Sequence, residues 1–490
     1  MRAKDIPAGI LPTQRGLYYG GAWHAPRAGG SAETFNPAYN EVITTAPTAD
    51  ASDVDAAVQT AHAAFPAWAA TPPVERGRYL RRAAAVLREH AQPLALLDAL
   101  NNGNPVSALA MDAGFAADCL DYFAGLATEI KGETIPMGDG NFNYTVQEPL
   151  GVIARIVAYN HPLMFAAARL AAPLAAGNTV VLKSPDQAPL SILRLAELVG
   201  DIFPPGVANF LCGGRECGDA MTRHPLVRKV TLIGGVSTGK AVMKTASDSL
   251  KPVLLELGGK NALIAYPDAD IDKLVNGIIA GMNFTWSGQS CGSTSRVFLH
   301  ESIHDEVLDK VITLLPQRHK PGIPTDPKTT MGSLVSRAQL DKVMDYVANG
   351  IEDGGRLVCG GKQPDDPALK DGFFYEATVF ADMQPHMRLA QEEVFGPILS
   401  VFKWSDEDAL WPQVNGLDFG LTGSIWTQNL NTAHRAARRI HTGYVWLNNA
   451  SQHFMGAPFG GVKQSGIGRE ECFTELLEFT YTKNVNLKFG

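Results

Sequence analysis

Short apolar runs alternate with helical stretches between residues 151 and 259. Each run is apolar on both faces, and a Gly or Pro separates it from the helical stretch that follows. The runs are residues 152–158, 179–182, 207–211, 230–233 and 253–255. Strands that are apolar on both faces are typical of a parallel sheet with helices packed on each side. The pattern therefore predicts a doubly wound α/β unit.

A second series of α/β elements begins near residue 261. The pattern predicts a strand over residues 261–266, a helix over 270–286 and another strand over 296–300. Upstream of both units, Ser52 and Asp55 have the spacing of a capping box, which predicts a helix from there to about residue 69. We therefore expect two large α/β lobes with additional helices at the N-terminal end.

Two further segments alternate apolar and polar residues in the manner of strands. They are residues 142–146 and residues 479–489, and the second follows a predicted helix that ends near Leu477. On a monomer such strands leave unpaired edges, which invite pairing with a second chain. The pattern predicts a small β arm and a homo-oligomer.

Composition and charge exclude several classes of protein. The chain has 490 residues, of which 45% are hydrophobic and 19% are charged, as in a globular protein. Its net charge of −8 has the wrong sign for a nucleic-acid-binding protein. No apolar run reaches the roughly 18 residues that a membrane span needs, and residues 1–20 lack the pattern of a signal peptide. We therefore expect a cytoplasmic protein with no nucleic-acid or membrane partner.

The six cysteines are too few and too scattered for a disulfide framework. The sequence also contains no Cys-x-x-Cys and no His-Glu-x-x-His. It therefore predicts free thiols and no metal site.

Three segments carry the residue types that nucleophilic catalysis needs. Cys291 lies in a run of Gly and Ser, where a substrate can approach the sulfur closely. Glu256 follows an apolar run, so burial should raise its pKa towards the range of a general base. Asn160 follows a predicted strand, where its amide can donate to a developing oxyanion. Taken singly, each has a simpler interpretation: a small buried thiol, a carboxylate that caps a turn, and a turn Asn beside Pro.

Together these segments resemble the aldehyde dehydrogenase superfamily over almost the whole chain. Glu256-Leu-Gly-Gly-Lys begins 35 residues before Cys291 (291 − 256), which is about the family's interval between base and nucleophile. Glu393-Val-Phe395-Gly-Pro is similar to the segment that binds the cofactor ribose in the family, and residues 458–470 resemble its C-terminal signature.

The resemblance implies an NAD-dependent enzyme that oxidises a small-molecule aldehyde to a carboxylic acid. Cys291 would be the nucleophile, Glu256 the base that activates water, and Asn160 an oxyanion donor. Attack by the thiol would give a thiohemiacetal, hydride would pass to NAD, and water would hydrolyse the resulting thioester. The resemblance leaves open a dehydrogenase of the semialdehyde or betaine-aldehyde type. The catalytic residues alone would also suit a cysteine-dependent hydrolase.

The resemblance also assigns residues to the cofactor. These are Lys183, Asp186, Gly218, Gly234, Gly239, Glu393 and Phe395. Lys183 and Asp186 would lie near the adenosine ribose, and the glycine segment 234–239 would begin a helix whose N-terminal amides hold pyrophosphate. Asp186 stands where the family usually has Glu, and Gly235 where it commonly has Ser. NAD is therefore the expected cofactor, and NADP remains possible.

A loose alignment with the family predicts a mainly aromatic substrate entrance. Its residues would be Phe115, Met164, Phe165, Trp286, Phe454 and Phe459. His161 and His453 would be the polar exceptions. No Arg or Lys stands at these positions to pair with a distal carboxylate, so we expect an apolar or aromatic aldehyde.

The resemblance implies a division of the chain into three parts. Residues 1–129 and 149–258 would form a Rossmann-like cofactor-binding domain, and residues 259–468 a catalytic α/β domain. Residues 130–148 and 469–490 would form an oligomerisation arm in a homodimer or homotetramer.

Overall fold

The computed structural model describes residues 1–489, which form two large sheets and two small ones. In spatial order the strands of the first large sheet are Gly466–Ile467, Val253–Glu256, Val227–Ile233, Val152–Ile156, Thr179–Lys183, Ala208–Leu211, Leu17–Tyr19 and Ala22–His24. Its five central strands pair in parallel, and they correspond to the five apolar runs. The predicted doubly wound α/β unit is confirmed.

The order of these parallel strands creates a crevice. Counted along the chain, they lie in the spatial order fifth, fourth, first, second, third. The chain therefore departs in opposite directions from the neighbouring strands Val152–Ile156 and Val227–Ile233. Ligands of open α/β sheets bind where the strand order reverses in this way, beyond the carboxyl ends of the strands. Asn160 and Gly234 follow these two strands and stand at this point.

Side chains alternate between two apolar layers on either side of the first sheet. Ile153 and Val180 pack against helices on one face, while Val152 and Val181 pack against helices on the other. This double burial explains why apolar residues predominate at successive positions of these strands.

One edge of the first sheet is formed by a strand that the sequence did not predict. Gly466–Ile467 pairs antiparallel with Val253–Glu256, with Glu256 opposite Gly466. Gly466 has φ +149°, and a Cβ at this position would collide with the carbonyl oxygen of Leu255. Only glycine permits this approach. The segment lies inside the predicted range 259–468 and hydrogen bonds to the sheet of the preceding range.

The second large sheet confirms the other predicted α/β lobe. Its strands in spatial order are Arg356–Cys359, Thr378–Ala381, Ile398–Trp404, Arg296–His300, Ala262–Ala265, Thr422–Trp426 and Tyr444–Leu447. All pairs are parallel except the first, which is antiparallel. It too has an apolar layer on each face.

Helices cover both large sheets. The α-helices are Ala51–Ala70, Pro73–Glu89, Ala91–Asn102, Val106–Leu109, Asp112–Leu126, Pro162–Ala168, Ala171–Ala175, Leu190–Val199, Arg215–Arg223, Val236–Ser247, Ile271–Gly281, Glu301–Arg318, Arg337–Glu352, Arg388–Gln391, Glu407–Asn415, Leu430–Arg439 and Phe473–Leu477. Within residues 1–489, no helix combines the length and the apolar character that crossing a membrane requires.

Two helix boundaries differ from the predictions. The first long helix is capped by Asp50, whose carboxylate accepts hydrogen bonds from the N–H groups of Ser52 at 2.8 Å and Asp53 at 3.0 Å. The predicted box starting at Ser52 is therefore wrong by two residues. The helix predicted over 270–286 ends at Gly281, because Asn283 adopts a left-handed conformation with φ +56°.

The predicted β arm forms a separate three-stranded sheet. Thr480–Lys488 pairs antiparallel with Asn141–Pro149 over nine residues, and Thr134–Ile135 adds a third strand. Several apolar side chains of this sheet are exposed, among them Phe142 at 41% and Leu487 at 50%. A hairpin of Ser31–Asn36 and Glu41–Pro47 forms the second small sheet.

Candidate active site

A cavity of about 710 Å³ lies beyond the carboxyl ends of the parallel strands in the first sheet. Its wall contains all three predicted catalytic residues and six of the seven predicted cofactor-binding residues. They are Asn160, Lys183, Asp186, Gly218, Gly234, Glu256, Cys291, Glu393 and Phe395. The structure thus brings together in one cavity residues that are spread over more than 200 positions of the chain (395 − 160 = 235).

Glu256 is the last residue of its strand and is almost completely buried. Its Oε1 has no hydrogen-bond partner within residues 1–489. Burial raises the pKa of Glu256 to about 8, and the negative charge of Glu470 adds to the effect. A carboxyl group with this pKa and a free oxygen can accept a proton near neutral pH.

Cys291 lies in a loop that two side chains hold in place. The amide of Asn261 donates to the carbonyl oxygen of Cys291 at 2.7 Å, and the hydroxyl of Thr422 donates to that of Gly292 at 3.1 Å. Burial and then the adjacent charge of Glu256 raise the pKa of the thiol well above its usual value. The thiol is therefore protonated in this state, and the carboxyl group of Glu256 lies beside it.

Asn160 is fixed through its main chain. Its carbonyl oxygen accepts hydrogen bonds from the side-chain amides of Asn104 at 2.7 Å and Asn102 at 3.3 Å. Between these two residues, Gly103 has φ +88°, which lets both amides turn towards the same oxygen. These contacts leave the side-chain amide of Asn160 free. The sequence analysis missed Asn102 and Asn104, since nothing in the local pattern links them to a loop 56 residues away.

At one end of the cavity, Glu393 is held by the glycines that follow Glu256. The N–H of Gly259 donates to Glu393 Oε1 at 3.0 Å, and a Cβ on Gly258 would collide with the same carboxylate. Phe395 has a left-handed conformation with φ +56°, and its carbonyl oxygen accepts from Gln339 at 2.8 Å. Gln339 also lines the cavity and was not predicted.

At the other end, the Lys183 ammonium donates to Asp186 Oδ1 at 2.9 Å. Lys183 is buried, while about half of the Asp186 side chain is exposed. Arg215, the first residue of the helix Arg215–Arg223, lies in the same part of the wall and is exposed. The sequence analysis did not assign Arg215 to the site.

The middle of the cavity is formed by the start of the helix Val236–Ser247. Ser237 and Thr238, in its first turn, line the wall, and a Cβ on Gly235 would meet only open space. Gly239 does not reach the cavity. A Cβ there would lie 2.6 Å from Leu257, so this glycine allows the helix to pack closely on the sheet.

The six predicted substrate residues do not line this cavity. Phe165 and Trp286 both contact the ring of His161, with centroid distances of 5.8 Å and 4.7 Å. Phe115 and Met164 pack against the same apolar cluster as Phe165. Phe459 belongs to a second aromatic group, where its ring centroid is 4.5 Å from that of His453, and Phe454 is 52% exposed.

These features fit a dinucleotide. The cavity volume is in the range of cofactor sites, a helix N-terminus faces its middle, and carboxylates stand at both ends, where ribose hydroxyls can donate. Gly235 leaves room that a side chain would fill, since a Cβ there would meet no atom within 4 Å.

Comparisons with known proteins agree with this geometry. The aldehyde dehydrogenase family matches residues 23–485. The chain is 54% identical to aldehyde dehydrogenase tropH of Talaromyces stipitatus over 98% of the chain and 94% of that protein.

Two solved structures superpose with a TM-score of 0.95 each. PnpE of Pseudomonas sp. WBC-3, bound to nicotinamide adenine dinucleotide, is 40% identical, with coverage of 97% of this chain and 98% of that one. The indole-3-acetaldehyde dehydrogenase AldA of P. syringae, bound to NAD⁺ and IAA, is 34% identical, with coverage of 99% and 98%. The match over nearly the whole length, together with a cavity that fits the dinucleotide these relatives bind, shows that the chain belongs to the aldehyde dehydrogenase family and is an NAD-dependent aldehyde dehydrogenase.

Proposed function

We propose that the protein oxidises an apolar or aromatic aldehyde to the free carboxylic acid through a covalent intermediate on Cys291. The observation that carries this proposal is the placement of Cys291, Glu256 and Asn160 in the wall of one cavity that fits NAD. A thiol, a base and an amide donor are the parts that covalent acyl chemistry requires.

In the first step the thiol of Cys291 loses its proton to Glu256, and the sulfur bonds to the carbonyl carbon of the aldehyde. The carbonyl oxygen becomes an oxyanion, which accepts hydrogen bonds from the Asn160 amide and the N–H of Cys291. The raised pKa of Glu256 suits it to take this proton, because a carboxyl group with an ordinary pKa would be a much weaker base. When bound, NAD supplies the hydride acceptor.

Loss of hydride from the adduct leaves a thioester on Cys291, and Glu256 releases the proton taken from the thiol to solvent. In the second step water attacks the thioester carbon and gives a proton to Glu256. The carbon–sulfur bond breaks, the acid leaves, and the sulfur recovers a proton from Glu256. The free Oε1 of Glu256 can accept the hydrogen bond that orients this water.

The surroundings of Asn160 support an apolar body for the substrate. Phe165 and Trp286 bring two aromatic rings to the residue that follows Asn160. AldA, a relative with 34% identity, is an indole-3-acetaldehyde dehydrogenase, whose substrate is aromatic.

We also infer the division of labour along the chain. Residues 1–129 and 149–258 bind the cofactor, residues 259–468 carry the nucleophile, and residues 130–148 and 469–490 join subunits into a homodimer or homotetramer. The exposed apolar side chains of the three-stranded sheet support the last point. A cytoplasmic location stays a prediction.

Replacement of the nucleophile tests the proposal. Cys291→Ala should reduce NADH formation from an aromatic aldehyde to background while NAD still quenches tryptophan fluorescence, because the cofactor site is intact. Cys359→Ala is the matched control, since Cys359 is also partly exposed and lies outside the cavity. The wild-type product should be free acid by mass spectrometry. Turnover in Cys291→Ala would exclude Cys291 as the attachment point.

A further inference from the structure

His161 directly follows Asn160, is largely buried and contacts the aromatic rings of Phe165 and Trp286. We propose that His161, held by Asp112, donates a hydrogen bond to the substrate and selects aldehydes that carry an oxygen acceptor on an apolar body. The inference rests on the proposed function, because it concerns the substrate of the same site.

The ring of His161 is fixed on three sides. Its Nδ1 lies 2.9 Å from Oδ2 of Asp112, a residue of the helix Asp112–Leu126. The rings of Phe165 and Trp286 approach it edge to face, at interplanar angles of 77° and 76°. The contact with Asp112 engages Nδ1 and leaves Nε2 free for another partner. A side chain fixed in this way can present that nitrogen in one direction, as a specificity residue must.

The charges around His161 favour its protonated form. Burial lowers the pKa of the imidazole, but the charge of Asp112, its hydrogen bond and the charge of Asp98 outweigh burial, and the net shift is upward. Asp98 faces this group from the helix Ala91–Asn102, and its Oδ2 accepts from the N–H of Leu163 at 3.2 Å. In the protonated imidazole both nitrogens are donors. In that form Nε2–H can donate to an acceptor on the substrate.

The residues around His161 offer a substrate no other charged donor. Phe115, Met164, Phe165 and Trp286 can supply only apolar contacts, apart from the indole N–H of Trp286. An aldehyde that is apolar throughout would leave a charged, largely buried N–H without a partner, which is unfavourable. An aldehyde with a carboxylate, carbonyl or hydroxyl oxygen in reach would satisfy it. This refines the expectation from sequence, which considered only Arg and Lys as partners for such an oxygen.

The test compares isosteric substrates. The 2-, 3- and 4-carboxybenzaldehydes are paired with the corresponding methylbenzaldehydes, and kcat/KM is measured for each from NADH formation. The wild-type protein should prefer the carboxylate at one ring position by about 10-fold to 100-fold, the usual worth of a hydrogen bond to a charged group. His161→Phe should abolish this preference, so that kcat/KM for the favoured carboxybenzaldehyde falls to that of its methyl partner.

Three further variants distinguish a donor from a merely structural residue. His161→Gln keeps a neutral donor and should retain part of the preference, and it replaces His161→Phe if that variant fails to fold. Asp112→Asn should reduce the preference, chiefly through KM, because the imidazole loses the charge that keeps it protonated. His224→Gln is the matched control, since His224 is also largely buried and bonds to Asp55 at 3.0 Å outside the cavity.

The outcomes separate the inference from the function on which it rests. Equal kcat/KM for both members of every pair in the wild-type protein overturns the role of His161 alone. A preference that survives unchanged in His161→Phe and His161→Gln overturns it as well. Failure to oxidise any of the six benzaldehydes would overturn the proposed aromatic substrate class together with the inference.

Discussion

Replacement of Glu256 by Gln separates the two half-reactions of the proposed mechanism. The amide has nearly the shape of the carboxylate but cannot accept a proton from water. The thiol must then lose its proton to solvent instead of Glu256, but the loss of the adjacent negative charge also lowers the pKa of Cys291, so attack on the aldehyde should continue. Hydrolysis of the thioester should fail. The variant should therefore release NADH once and then stall.

The size of the effect follows from the pKa of about 8 for Glu256. At about pH 7 roughly one tenth of this group is ionised, and at about pH 9 roughly nine tenths. Wild-type steady turnover, where hydrolysis limits it, should rise about ninefold between these values. In Glu256→Gln the steady rate should fall by about 10² to 10⁴, the worth of a positioned base, and its rise centred on about pH 8 should disappear.

A loss of stability should not account for the lower turnover of Glu256→Gln. The pKa of Glu256 is higher in the folded protein than in the unfolded chain, so folding favours the neutral form. The free energy of unfolding therefore falls as pH rises towards about 8, because ionisation then favours the unfolded chain. Since Gln imitates the neutral form, Glu256→Gln should unfold no earlier than the wild-type protein. Its stability relative to the wild-type protein should increase between about pH 4.5 and about pH 8 and then stay constant.

Stopped-flow absorbance of NADH measures the burst, and intact-mass analysis of the quenched enzyme should find the acyl group on Cys291. Glu197→Gln is the matched control, since Glu197 is a largely buried carboxylate that binds Arg194 at 2.6 Å outside the cavity. Wild-type steady turnover in Glu256→Gln, or a variant with neither burst nor trapped acyl group, would refute the role of Glu256 in deacylation.

Two further predictions concern the cofactor and the assembly. The protein should prefer NAD to NADP, because the carboxylate of Asp186 repels a 2′-phosphate. Arg215→Ala should lower the residual kcat/KM with NADP about twofold to fivefold, as expected for an exposed ion pair, and should leave NAD kinetics unchanged. Equal kcat/KM with both cofactors in the wild-type protein would contradict this. Light scattering should give at least twice 52.5 kDa at micromolar concentration, and Leu487→Asp, which places a charge on the exposed arm, should shift the mass towards the monomer. A monomeric wild-type protein would refute the role of the arm.

Local patterns in the sequence were enough to identify the parallel strands and the three catalytic candidates. Each of the five runs marks a strand because burial on both faces favours apolar residues at successive positions, with Arg155 and Asn209 among the buried polar exceptions. Glu256 could be recognised because it ends such a run, and its raised pKa follows from the burial that the run implies.

Features that depend on distant partners could not be found in this way. The strand Gly466–Ile467 is two residues long, and its partner lies some 200 positions earlier, so no periodicity reveals it. Asn104 and Asp112 can be recognised as residues of the site only from their contacts with Asn160 and His161 in the folded chain. The predicted helix cap was wrong because several side chains near residue 52 have a sequence spacing that suits a capping box. The structure shows that Asp50 is the residue that caps the helix.

The pairing of Glu256 with Gly466 has a consequence for the order in which the enzyme matures. The strand that ends in Glu256 has its outer edge covered only when a segment 24 residues from the C-terminus is in place (490 − 466). During synthesis the chain emerges from its N-terminus, so the base acquires this support after nearly everything else has been made. A nascent chain thus holds its thiol without a properly supported base until the last stage of folding. A chain that stopped before Gly466 would therefore lack this support for Glu256 even with Cys291 in place.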